Sequence, residues 1–184
     1  MMTKIPKISK PIQVKPDTGT TAGGESVTIT GGPWDEETIM FTMVKFGVSD
    51  PIEVDYGEKD DQTNNYISIV TRSPPHKAGK VDITVITPDG HQAKKEDAFT
   101  YLFKVDEVNP EQGKVEEDRE TFVIITANDT DVEAVEFGEQ RARSHKISPI
   151  HIKAMVPYRE KKGKVVVKVK TPRGENSDKH FEYL

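Results

Sequence analysis

The chain has 184 residues, with 31 acidic and 26 basic side chains for a net charge of −5, 34% apolar residues and no cysteine. It therefore has no disulfide, no thiolate metal site and no cysteine nucleophile, and no run of about 18 apolar residues that could cross a bilayer as a helix. Its low apolar share suits thin, surface-rich modules better than one thick core.

In chain order, residues 1–10 hold lysines but no apolar h-region, so they read as an N-terminal tail and not as a signal peptide. A cytoplasmic location is expected for the chain as written, and an extracellular one if it is a piece of a larger protein. Ser26-Val27-Thr28-Ile29-Thr30 is a β-branched run bounded by turn residues, which predicts a strand. Trp34, the single tryptophan, stands between Gly31-Gly32-Pro33 and Asp35-Glu36-Glu37 and reads as a loop residue. Asp35 to Val44 is the nearest approach to a helical period, and it is short. Ile67-Ser68-Ile69 alternates as a strand does, and Gly79 to Ile86 alternates more clearly, with Val81, Ile83 and Val85 on one face and Asp82 and Thr84 on the other. Thr87-Pro88-Asp89-Gly90 then stops that strand, because proline presets φ and glycine supplies the positive φ of a turn.

The phrase Gly79 to Gly90, GKVDITVITPDG, returns as Gly163 to Gly174, GKVVVKVKTPRG. Three further matches occur in the same order: Val14-Lys15-Pro16 with Val108-Asn109-Pro110, Val44-Lys45-Phe46-Gly47 with Val135-Glu136-Phe137-Gly138, and Phe99-Thr100-Tyr101 with Phe181-Glu182-Tyr183. Their separation shrinks along the chain, the mark of a duplication with shorter loops in the second copy. In that copy Thr121 to Ile125 and Ile150-His151-Ile152 predict the counterparts of the earlier strands. The expected organisation is an all-β protein of two tandem β-sandwiches, residues 11–102 and 103–184 after the tail. Leu102-Phe103-Lys104 between them is too short for a flexible coil, so a semi-rigid pair is expected, with Leu102 or Phe103 at the junction.

The ordered set Val-x-Pro-x-x-Gly, Gly23 to Gly31, Val-x-Phe-Gly, the strand ending Thr-Pro-x-Gly, and Phe-x-Tyr resembles the IPT/TIG family, immunoglobulin-like domains of plexins and transcription factors. The second copy departs from the pattern at Val115-Glu116-Glu117-Asp118-Arg119, where the first has Gly23-Gly24, so its first turn must differ. The resemblance implies an early-set immunoglobulin-like sandwich. It also implies the role of a spacer or binding face, as in cell-surface receptors, Rel-type transcription factors, accessory domains of glucan-acting enzymes, and bacterial surface or phage-related proteins.

Gly-x-Ser-x-Gly, a phosphate-binding glycine loop and His-Glu-x-x-His are all absent from the sequence, and no cofactor is expected. The five histidines are scattered and read as ordinary strand or surface residues. Asp35-Glu36-Glu37 and Glu58-Lys59-Asp60-Asp61 are acidic loops that could supply oxygens to calcium, but neither has a calcium-loop spacing. Trp34, with Tyr56 and Tyr66, is the candidate ligand contact, since a tryptophan face can stack on a sugar or anchor a protein; read structurally, the indole tucks over the end of the sandwich as a lid. Charge is segregated in the second copy: residues 105–139 hold twelve acidic and two basic side chains, residues 141–173 eleven basic and one acidic. Read functionally, Arg141, Arg143, Lys146, Arg159, Lys161, Lys162 and Lys164 are candidate polyanion contacts; read structurally, the two halves pair their charges around one sandwich. The function expected is a non-catalytic structural or protein-interaction module of a surface, secreted or virion-associated assembly, with carbohydrate binding through the aromatics as the alternative. A protein partner is expected, a glycan is the second choice, and neither nucleic acid nor membrane insertion is expected.

Overall fold

The computed structural model describes residues 11–117 and 119–184. The tail expected at residues 1–10, and Asp118 in the divergent first turn, lie outside them. The described chain divides into two compact units, residues 11–19 with 23–102, and residues 20–22 with 103–184.

The first unit opens with β1 (Gln13–Lys15), β2 (Thr18–Thr20) and β3 (Ser26–Trp34), followed by a short α1 (Glu36–Met40). It continues through β4 (Met43–Phe46), β5 (Ile52–Glu53), β6 (Asp55–Tyr56), β7 (Tyr66–Arg72), β8 (Gly79–Ile86) and β9 (Gln92–Leu102). Two sheets result, ordered β1-β3-β7-β6 and β2-β9-β8-β4-β5. The core between them is filled by Val27 and Ile29 of β3, Ile69 of β7, Val44 and Phe46 of β4, Ile83 and Val85 of β8, and Phe99 and Tyr101 of β9. These are the inward members of the alternating runs, each contributing roughly 1.5–3 kcal/mol of burial.

The second unit repeats this plan. Its elements are β10 (Val105–Asn109), β11 (Gln112–Gly113), β12 (Thr121–Ala127), β13 (Ala134–Phe137), β14 (Gln140–Ala142), β15 (Ser144–Ser148), β16 (His151–Val156), β17 (Gly163–Thr171) and β18 (Gly174–Tyr183). Its sheets are ordered β10-β12-β16-β15 and β11-β18-β17-β13-β14, strand for strand the order of the first unit. The second unit has no counterpart of α1 among its described residues, and β13 turns directly into β14 through Gly138-Glu139. Shortening of that kind is what makes the repeat spacing contract.

The structure explains why these particular phrases were kept twice. The phenylalanine of Val-x-Phe-Gly and both aromatics of Phe-x-Tyr meet in the core, on the two strands that flank the repeated one. Phe46 stands edge-on to Phe99 at 5.3 Å, and Phe99 to Tyr101 at 5.0 Å. In the second unit Phe137 stands edge-on to Phe181 at 5.6 Å, and Phe181 to Tyr183 at 5.2 Å. Each such pair adds about 0.5–1.5 kcal/mol beyond burial. The glycine that follows, Gly47 or Gly138, has φ of +58° or +62°, a turn conformation that an L side chain adopts only at a cost. The threonine of Thr-Pro-x-Gly is buried in both copies, and its hydroxyl donates back into the turn, Thr87 to the His91 carbonyl and Thr171 to the Gly174 carbonyl, each at 3.1 Å.

Candidate functional site

Trp34 is the clearest correction to the sequence reading. It ends β3, is 0% exposed and belongs to the first core, so it presents no face to a ligand. The cause lies in the glycines beside it. A Cβ on Gly32 would stand 2.5 Å from the Tyr66 carbonyl oxygen and 2.8 Å from Trp34 Cε3. Gly32 permits a close approach that seats the indole, whereas composition alone reads this stretch as loop. Trp34 Nε1 has no hydrogen-bond partner among the described residues, and neither does Tyr101 Oη; burial pushes the Tyr101 phenol well up.

Tyr56 and Tyr66 do come together. Their rings stack at 5.0 Å, with Tyr56 49% exposed and Tyr66 half-buried. Lys59 Nζ sits 4.8 Å from the Tyr66 ring centroid and pairs with Glu36 of α1 at 3.3 Å. The two acidic loops are thus tied to each other, and Asp60 Oδ1 accepts from the backbone N–H groups of Gln62 and Thr63. Among the described residues no three His, Asp or Glu side chains converge to hold a metal ion.

Four basic side chains of the second unit pair with acids of its other half. Arg143 pairs with Glu120 at 2.9 Å, Lys146 with Asp131 at 3.7 Å and Lys170 with Glu136 at 3.1 Å. Arg173 grips Asp129 with two bonds of 2.8 Å and also reaches Asp131. Every one of these pairs joins the acidic half to the basic half. Burial alone would raise the Asp129 carboxyl, but the Arg173 guanidinium and the Asp131 N–H outweigh it and hold that carboxyl below its ordinary range. The other polyanion candidates are scattered. Arg141 donates to the Glu133 carbonyl at 2.6 Å, and Arg159 lies 5.8 Å from the Tyr183 ring centroid. Lys161 and Lys162 occupy the exposed turn before β17, and exposed Lys164 lies opposite Glu182.

One surface escaped the sequence reading. Immediately after α1, Met40 and Phe41 are 64% and 65% exposed, and Met43 at the start of β4 is 38% exposed. Met43 faces Glu53 of edge strand β5, and α1 packs beside β6, which carries Tyr56. The buried anchors under this segment are Ile39 and Val44. The available signal was three large apolar residues within four positions in an acidic setting.

Two stacked β-sheets per unit, with their cores between the sheets, define an immunoglobulin-like β-sandwich protein. Residues 11–101 match the IPT/TIG domain, so the first unit is an IPT/TIG domain. No curated protein matches the sequence. Solved structures with a similar arrangement include a Bacteroides ovatus SGBP-B of a mixed-linkage glucan utilization locus, in complex with a mixed-linkage heptasaccharide, at 14% identity and a TM-score of 0.38 over 88% of this chain and 43% of that one. An SGBP-B from a complex xyloglucan utilization locus of Bacteroides uniformis shares 15% identity at a TM-score of 0.37, over 97% and 49%. The Escherichia coli adhesin FdeC shares 13% at 0.34, over 94% and 62%. This chain spans less than half the length of the first two, and likeness at this level lends no weight to any reading of function.

Proposed function

We propose that this protein is a non-catalytic protein-interaction module built of two IPT/TIG-type sandwiches, residues 11–102 and 103–184. The observation that carries the reading is the cluster of exposed apolar side chains Met40, Phe41 and Met43 beside edge strand β5. Exposed apolar side chains clustered this closely, rimmed by polar residues, mark interaction surfaces more often than scattered single ones do. Phenylalanine is a rigid anchor and methionine an adaptable one. The buried polar groups, in contrast, serve the frame: Ser68 Oγ accepts from the Glu58 N–H at 2.6 Å, and the two turn threonines close their hairpins. The test replaces Phe41 with a photo-crosslinking residue in the native cell. One discrete polypeptide adduct is expected, absent when the crosslinker stands at exposed Lys80. No adduct, or the same adducts from both positions, would sink the reading.

Glycan binding is the second reading, favoured by the Tyr56–Tyr66 stack, which offers one open ring at the surface. If it holds, Tyr56→Ala abolishes retention on a glucan resin while leaving the melting temperature within about 2 °C of the parent, since exposed substitutions rarely exceed about 0.5 kcal/mol. Equal retention of parent and variant would remove Tyr56 from any sugar site.

A further inference from the structure

We infer that the surface formed by Met40, Phe41 and Met43 takes a cationic polypeptide segment, one in which lysine or arginine flanks apolar side chains; the inference rests on the interaction reading above and narrows its partner. The first unit keeps its net charge in one stretch. Residues 34–61 hold nine acidic and two basic side chains, whereas residues 11–33 and 62–102 together hold six of each. The whole negative excess of the unit therefore lies in the stretch that carries the exposed apolar residues.

Folding gathers that stretch onto one surface. Met43 stands opposite Glu53 across β4 and β5. The next strand, β6, supplies Asp55 and lies beside α1. Lys59 fastens the loop of Glu58 and Asp61 to Glu36 on α1. Glu36, Asp50, Glu53, Asp55, Glu58 and Asp61 are all exposed, and of these only Glu36 forms an ion pair among the described residues.

The second unit supplies the comparison. Its charge is segregated more strongly, yet Arg143, Lys146, Lys170 and Arg173 each pair a base of one half with an acid of the other. In the first unit, Glu36 alone of the six exposed acids named above is paired with a base among the described residues. Like charges gathered without counter-charge destabilise the compact state and favour whatever brings positive charge to them. Such a field also raises the encounter rate of a cationic partner and repels phosphate-bearing ones. A neutral glycan would leave the carboxylates unanswered, and a nucleic acid or anionic bilayer would be rejected. A polypeptide with basic residues around an apolar pair satisfies both features, its aliphatic side chains covering Phe41 and Met40 while its cations meet Glu53 and Asp55.

The experiment titrates the full chain with the peptide Lys-Leu-Ser-Lys-Leu-Ser-Lys, with Glu-Leu-Ser-Glu-Leu-Ser-Glu as control, following backbone amide shifts by NMR. The lysine peptide is expected to move the amides of Met40, Phe41, Met43, Glu53 and Asp55, and the glutamate peptide to move none of them. Phe41→Ser and the pair Glu53→Lys with Asp55→Lys are each expected to weaken binding about tenfold or more, the size of a single anchor's loss. Equal shifts from both peptides, shifts centred elsewhere, or no change on Phe41→Ser would overturn the inference; the last would mean a diffuse field effect with no docking surface. A silent titration beside a discrete polypeptide adduct at position 41 would overturn the cationic partner and leave the interaction reading standing. Silence in both would remove both.

Discussion

Replacing Trp34 by alanine is expected to lower the stability of the first unit by about 3–5 kcal/mol, the range for emptying a large aromatic from a core. Trp34 is 0% exposed and is packed in the same core as Ile29, Ile69 and Phe46, and the bare Cα of Gly32 shapes its seat, so little can collapse into the vacated space. Trp34→Phe should cost much less, about 1–2 kcal/mol. It keeps an aromatic in the seat and removes an indole N–H that has no partner among the described residues, which offsets part of the lost contact. Urea unfolding of the parent and both variants, followed by circular dichroism, measures the two differences. A loss below about 1 kcal/mol for Trp34→Ala would show the indole to be dispensable to the core, and with it the account of Gly32. The same burial predicts blue-shifted tryptophan emission from the native chain that moves red only on unfolding.

The sandwich architecture was legible in the sequence because it is written in period two. Val81, Ile83 and Val85 alternate as a half-buried strand must, and the repeat supplied a second reading of that strand and of the three other matched segments. The side-chain frame was legible only as pattern. That Phe46, Phe99 and Tyr101 form one cluster follows from strand order, which brings β4 and β9 to the two sides of β8, and spacing along a chain does not state order across a sheet. Trp34 was misplaced for a related reason. Gly31-Gly32-Pro33 is the composition of a loop, and the same glycines also permit the closest approach of backbone to a large ring. The exposed segment at Met40 and Phe41 lies inside the one short stretch that approaches a helical period. A helix of five residues, Glu36–Met40, ends before it can turn Phe41 inward. Charge segregation in the second unit was visible in sequence, but whether it served a surface or the fold depended on distances of 2.8–3.7 Å that only the folded chain supplies.

Removing the Arg173 guanidinium should destabilise the second unit by on the order of 3 kcal/mol at neutral pH, because it strands a carboxylate that the fold has taken out of water. Asp129 is 2% exposed and receives both Arg173 bonds at 2.8 Å, while Arg173 itself keeps about a quarter of its side chain in solvent, which places the loss at the lower end of the range for a broken buried pair. The pH dependence separates this cause from lost packing. In the parent, Asp129 ionises below its ordinary value, so its contribution is complete above the unfolded carboxyl's value of about 3.9 and disappears as pH falls through the lower folded value. In Arg173→Met the sign reverses. Burial without the guanidinium raises the Asp129 carboxyl, the unfolded chain binds fewer protons than the folded one, and the defect shrinks as pH falls. Urea midpoints from pH 7 down to about 4 should therefore converge between parent and variant. Adding Asp129→Asn to Arg173→Met should recover part of the loss at pH 7, since the stranded charge is gone. A difference that stays constant with pH, or a double variant no better than the single one, would mean that Arg173 contributes contact area and not charge.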